Sequence, residues 1–198
     1  MFTAGEGIDH VTELFVLFER ATEGFSRHVR AIGRERWHDS TPCTEWDVRM
    51  LVNHVAVEQL WVPPLVQGSS VTDVGTRLDG DQLGDDPVGA WQVARSAALA
   101  AFSTPGVLEA SVALSSGDRA TSEYCWEMTT DALIHTWDLA RSIGAEETLD
   151  SELVELIYER VLPVAEHLHE SGMFAPPVLV SADAVLQTKL LALFGRSS

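Results

Sequence analysis

Apolar residues recur along this chain at helical spacing. Val11, Leu14, Phe15, Phe18, Ala21, Phe25, Val29 and Ile32 follow one another at intervals of three or four, which predicts an amphipathic helix over about residues 8–32. Thr41-Pro42-Cys43-Thr44 interrupts the pattern. Thr44 is the candidate N-cap of a second helix, with Asp47 three residues on as a weaker relative of the capping box. That helix is expected to end at about Trp61 or Val62, because Pro63-Pro64 cannot donate backbone hydrogen bonds. Residues 68–87 are polar, acidic and glycine-rich and read as one long loop, of a length that often marks a lid or the wall of a site. Pro87 opens a third helix through Trp91, Val93, Ala94, Ala97, Ala98, Ala101 and Phe102, stopped by Thr104-Pro105-Gly106. Residues 107–114 read as a single extended segment before the turn at Ser115-Ser116-Gly117-Asp118.

A fourth helix is predicted over residues 120–143, with Gly144 as its C-terminal stop, and a fifth from an N-cap at Ser151 to about residue 169. Pro176-Pro177 forces an extended stretch over residues 174–178, and residues 183–194 make a short last helix closed by Gly195. Long helices joined by short breaks predict an all-α bundle, a single domain over residues 1–198.

Composition narrows the function classes. The chain carries 13 Lys+Arg against 30 Asp+Glu, a formal net charge of −17. Such a surface repels phosphate backbones and anionic lipid, so neither nucleic acid nor a membrane is an expected partner. An anionic small substrate stays compatible, since a bound dication would dominate its local field. The first nine residues lack a basic start followed by an apolar run, and no stretch has the length of a membrane span, so a cytoplasmic location is expected. Cys43 and Cys125 form no C-x-x-C pair and read as reduced, partly buried apolar residues, Cys43 less securely because it sits just before a helix.

The candidate chemistry lies on two helices. Tyr124, Met128, Asp131, His135 and Leu139 share one narrow stripe of the fourth helix, with Asp131 and His135 one turn apart. The apolar neighbours turn that stripe inward, where an ionised carboxylate needs a cation, a hydrogen-bond cage or a metal. On the second helix His54 shares a stripe with Asp47, Leu51, Glu58, Trp61 and Leu65. Two imidazoles and one carboxylate make a common shell for a catalytic divalent metal with open positions. The alternative from the residues alone is an Asp131–His135 pair that satisfies itself in the core. Glu58, four residues after His54, is either a further ligand or a carboxylate at the rim. His167 and His169 read as a solvated face, His10, His28 and His38 lie near helix ends or on polar faces, and Trp37 and Trp46 read as packing anchors.

The stretch from Thr41 to His54 resembles the "TPC-x-x-W-x-V-R-x-L-x-x-H" segment of the mycothiol-dependent maleylpyruvate isomerase metal-binding domain family, in the DinB-like superfamily. Asp131-Ala-Leu-Ile-His135-Thr-Trp137-Asp138-Leu139-Ala140-Arg-Ser-Ile-Gly144 is similar to the "D-x-x-x-H-x-W-D-L-A-x-A-x-G" signature of its small single-domain subfamily. The ending from Phe174-Ala175-Pro176-Pro177-Val178 to Leu191-Ala192-Leu193-Phe194-Gly195-Arg196 resembles that subfamily's C-terminus.

The resemblance implies a DinB-like four-helix bundle with an extra short C-terminal helix and one divalent metal, zinc or nickel, on His54, Asp131 and His135. It further implies a small-molecule thiol of the mycothiol type as co-substrate, an electrophile as the second partner, and transferase or isomerase chemistry. In that reading Glu58 shuttles a proton, and Trp61 and Tyr124 wall the cofactor pocket. The isomerase itself carries Glu at the position of Asp131 and has an additional C-terminal domain. A metal-binding module without turnover, serving a stress response, has the same motif spacing and is the alternative. A homodimer is compatible with exposed helix faces, and the pattern does not decide it.

Overall fold

The computed structural model describes residues 4–115, 117–165 and 175–197, with side chains from residue 13 onward. His167, His169 and Phe174 lie outside the described residues, as do the side chains of His10 and Val11. Seven α-helices and one hairpin make up the regular structure of the described residues: α1 (Ala4–Ala31), α2 (Val48–Val66), α3 (Val71–Val74), α4 (Pro87–Phe102), β1 (Ser111–Leu114), β2 (Gly117–Ala120), α5 (Thr121–Ile143), α6 (Ser151–Val161) and α7 (Leu186–Leu193). This is the expected all-α architecture. α1 lies along α5 and α2 along α4, while α2 also meets α5, so these four long helices form the bundle. α6 and α7 pack on each other at its side, where Leu153, Ile157, Leu190, Leu191 and Phe194 join Ile134 and Trp137 of α5 in one buried cluster.

Burial along α5 departs from an amphipathic pattern. Every residue from Ala132 to Ala140 is buried, so this stretch has no solvent face. A helix covered on all sides is the interior member of its bundle. It also means that any charge carried there is compensated within the protein, whichever face it occupies.

Several boundaries differ from the sequence expectation. The N-cap of α2 is Asp47 rather than Thr44, its carboxylate accepting from the Met50 N–H at 2.8 Å. Thr44 falls in a turn, with the Trp46 N–H bonded to the Cys43 carbonyl at 2.8 Å and the Thr41 hydroxyl to the Trp46 carbonyl at 2.8 Å. α2 passes through Pro63-Pro64 to Val66. The prolines lack donors, but their carbonyls accept from Gln67 and Ser69, and burial of Val62 and Leu65 against Leu14 and Phe18 holds the last turn. The N-cap of α6 is Asp150 rather than Ser151. A helical 3-10 turn, Val107–Glu109, and the β1–β2 hairpin replace the single extended segment of residues 107–114, and the second strand was not legible. Gly144, at φ 64°, ends α5 as expected.

Residues 68–87 are not a bare loop. They contain α3 with a Ser70–Asp73 capping box, and they are pinned to α2. Arg49 pairs with Asp81 at 2.7 Å, Asn53 bonds the Gly80 carbonyl and the Gln82 N–H, and Leu83 is buried beside Trp91. No helix among the described residues is long and apolar enough to cross a membrane.

The α1–α4 seam contains a buried polar link, the Trp91 indole N–H donating to the Ser26 hydroxyl at 2.7 Å. Ser26→Ala strands that donor in the core and is expected to cost about 1–3 kcal/mol. Urea denaturation checks this, and a loss within a few tenths of that of a surface Ser→Ala change contradicts it.

Candidate metal centre

α2 and α5 bring His54, Asp131 and His135 together. One donor atom of each lies within 4.8 Å of the other two. His54 Nε2 is 3.6 Å and His135 Nε2 3.3 Å from the same Asp131 oxygen, Oδ1. Ligand atoms sharing an ion at 2.0–2.2 Å bonds stand roughly 3.0–3.5 Å apart, so these separations suit a common cation. The two imidazoles meet edge to face at 5.1 Å. Asp131 Oδ2 is buried and has no hydrogen-bond partner among the described residues. A buried carboxylate with one oxygen shared by two imidazoles and the other without a partner among the described residues fits a cation better than it fits a self-satisfied core pair.

The local sequence explains the approach. Asp131 and His135 are one turn apart on α5, and the Asp47 cap starts α2 so that His54 falls on the side facing α5. Trp46, immediately before the cap, lies over His54 at 4.6 Å between ring centroids and 5.9 Å from His135. It is thus a packing anchor, as expected, and one that covers the histidines.

Glu58 is near but separate. It does not join the donors that converge within 4.8 Å among the described residues. Burial, and then the neighbouring Asp131 charge, push its carboxyl upward against the opposing pull of His54 and His135. Tyr124 is buried, edge-on to Phe102 at 6.0 Å, and its hydroxyl finds no partner among the described residues. Burial and then Glu58 raise its phenol well above the ordinary range. Trp61 is partly buried against the apolar cluster that contains Tyr124 and Met128.

Sequence reasoning missed what lies behind His135. Asp138, fully buried, accepts from His135 Nδ1 at 2.8 Å. A carboxylate can only accept there, so Nδ1 carries a proton and Nε2 is left for Asp131 and His54. Arg196 donates to both Asp138 oxygens, at 2.8 and 3.2 Å, and to Cys43 Sγ at 3.3 Å. The Cys43 thiol in turn lies 3.4 Å from Asp138 Oδ2. Cys43 is half-buried against an apolar cluster, as expected, but its thiol is also a polar participant. Cys125 matches its expectation, with burial pushing its thiol up to about 12. Cys43, His135 and Asp138 also bring three donor atoms within 4.8 Å, but the Arg196 guanidinium already supplies the cation there. On the tail side of this network Arg196, Thr41, Trp137 and Arg141 line an open cleft of about 330 Å³. The only local signal was Asp138 at three residues from His135.

A helical bundle here presents two histidines and a carboxylate toward one point, and comparison identifies the family. The family described as mycothiol maleylpyruvate isomerase N-terminal domain matches residues 18–140, and the chain belongs to it. Two uncharacterized proteins of Mycobacterium tuberculosis, from strains CDC 1551 / Oshkosh and ATCC 25618 / H37Rv, are each 31% identical over 139 residues, covering 68% of this chain and 70% of theirs. The crystal structure of the mycothiol-dependent maleylpyruvate isomerase superposes with a TM-score of 0.60 at 15% identity, over 76% of this chain and 69% of that one. A histidine-to-alanine mutant of that enzyme gives the same TM-score, 0.60, at 13% identity. These two likenesses concern the fold.

The electrostatics predict how the metal-free protein responds to pH. Burial alone would raise Asp131, yet His135 and then His54 hold it below the usual carboxylate range; burial alone would lower His135, yet Asp131, Asp138 and Cys43 hold it well above the ordinary imidazole value. Groups that bind protons more tightly when folded lose their stabilisation as pH rises. Stability is therefore expected to fall above 4.5, where the unfolded chain sheds a Glu58 proton that the fold retains, and further above 6.5, where the same holds for His135. Asp131 works in the opposite direction, its contribution disappearing only as pH drops below 3.8. Urea denaturation across this range checks the assignment: Glu58→Gln should flatten the first decline and leave the second. A Glu58→Gln profile parallel to wild type contradicts it.

Proposed function

We propose that the chain is a metal-dependent enzyme that uses a low-molecular-weight thiol, of the mycothiol type, for isomerisation of or transfer to a small electrophile. The observation that carries this reading is the convergence of His54, Asp131 and His135, with Asp131 Oδ2 left without a partner among the described residues. Family membership and the name of the structurally similar isomerase supply the thiol and the class of reaction.

His54 and His135 would hold a divalent ion, zinc or nickel, through their Nε2 atoms, and Asp131 would add the negative charge. Such an ion, when bound, lowers the pKa of a coordinated thiol so that a thiolate is available near neutral pH. The protein's own groups do the rest. Trp46 shields the histidines from water on one side. Glu58, whose carboxyl burial and then Asp131 push upward, can take up a proton at its carboxyl oxygen and pass it to or from the substrate. Trp61 and the Tyr124 phenol would wall the pocket on the Glu58 side, with the unpartnered hydroxyl available to a polar atom of the thiol.

Elemental analysis of the purified protein is expected to find about one equivalent of divalent metal, lost in Asp131→Ala and His135→Ala. With mycothiol and maleylpyruvate as the first substrates tried, Glu58→Gln should retain the metal and lower kcat by about 100-fold. Full activity in metal-stripped protein would sink this reading, and bound metal without turnover on any electrophile would reduce it to a binding module.

A further inference from the structure

Asp138 is inaccessible to solvent, yet it gathers hydrogen bonds from three separate parts of the chain. His135 comes from its own helix, Cys43 from the segment before α2, and Arg196 from the residues after α7. The Arg196 side chain is 11% exposed, and its guanidinium grips the carboxylate through Nε and Nη2. That fork matches a carboxylate geometrically and leaves Asp138 little freedom to turn.

The tail is built to deliver this arginine. Leu190, Leu191 and Phe194 bury α7 and the residue beyond it in the core. Gly195 then turns at φ 77°, and a Cβ there would lie 2.6 Å from the Ala175 Cβ and 2.9 Å from its carbonyl oxygen. The Arg196 N–H returns to the Leu191 carbonyl at 3.0 Å and its Nη1 to the Phe194 carbonyl at 2.7 Å. Without the glycine the chain could not reverse this closely, and the guanidinium would point elsewhere.

We propose that Arg196 and Asp138 are positioning residues for the metal centre: the tail guanidinium fixes Asp138, which fixes His135 through Nδ1–H and so aims Nε2 at the point shared with His54 and Asp131. This rests on the metal reading above. An imidazole held at one nitrogen by an immobilised carboxylate presents the other with a defined tautomer and ring angle. A tail staple with no bearing on His135 would use the same ion pair, so stability alone cannot separate the two roles.

Two measurements do. Zinc affinity is taken by calorimetry, and the His135 Nδ1 proton is observed by NMR in metal-free, 15N-histidine-labelled protein. Asp138→Asn and Arg196→Ala are expected to weaken Zn²⁺ binding by about 10–100-fold and to lose or shift the hydrogen-bonded Nδ1 proton. Arg196→Lys should recover part of both. Gly195→Ala, which touches neither Asp138 nor His135, should behave like Arg196→Ala. His54→Ala should lose zinc but keep the Nδ1 proton. Zinc affinities within twofold of wild type together with an unmoved Nδ1 proton overturn the proposal, whatever happens to the melting temperature. Should the wild type bind no zinc, the metal reading falls by itself. The Nδ1 proton of the metal-free variants then decides: lost or shifted upholds the orienting role, unmoved overturns it. If Arg196→Ala does not fold, Arg196→Lys carries the same readouts, since a point charge cannot bond both carboxylate oxygens and Sγ in the arginine's fork.

Discussion

The burial of charge inside α5 is the constraint on which the rest of the structure depends. Between Ala132 and Ala140 the helix has no solvent face, and it carries Asp131 just before that stretch and His135 and Asp138 within it. Isolated ionised groups in such a place would cost more than a small domain can offset. Each is therefore answered from a different direction: His54 from α2, Arg196 from the tail, Cys43 from the segment that precedes α2. The bundle packs around α5 in the way that brings those partners in.

The result is a chain of contacts with two ends of different character. At one end Arg196 and Asp138 are mutually satisfied, fork against carboxylate. At the other, Asp131 keeps one buried oxygen without a partner among the described residues, and the Tyr124 hydroxyl on the same stripe of α5 is in the same condition. His135 joins the two ends through its two ring nitrogens. Polar groups left unpaired in a protein interior cluster where something else binds. In the proposed reading, this asymmetry separates the face of His135 that supports the site from the face that would serve it.

The overall acidity acquires a local meaning here. With a net charge of −17 the protein is a poor host for anions, yet the few cations it has are spent selectively. Arg196 is placed inside against Asp138, and Arg20 and Arg49 tie down Asp150 and Asp81 at element boundaries. None of these arginines faces the His54–Asp131–His135 point. The charge there is left to be balanced by protons on histidine or by a bound cation.

Much of the architecture could be read directly from residue spacing. The helical stripes of α1, α4 and α5, the glycine stop at Gly144 and the inward turn of Asp131 and His135 follow from local periodicity and backbone sterics, which depend only on near neighbours in the chain. The boundaries that shifted did so for local reasons with tertiary support: Asp47 capped better than Thr44, and buried Val62 and Leu65 carried α2 through its prolines. Asp138 escaped because periodicity selects the most apolar stripe and assumes a solvent face opposite, which an interior helix lacks. Cys43 and Arg196 lie 95 and 58 residues from Asp138, and no local pattern encodes such a meeting. The sequence by itself determined the helices and the stripe on which the candidate ligands sit, because both are properties of the chain within a few turns. Only the tertiary structure decided which groups answer the buried charge, because that depends on how remote segments pack around α5.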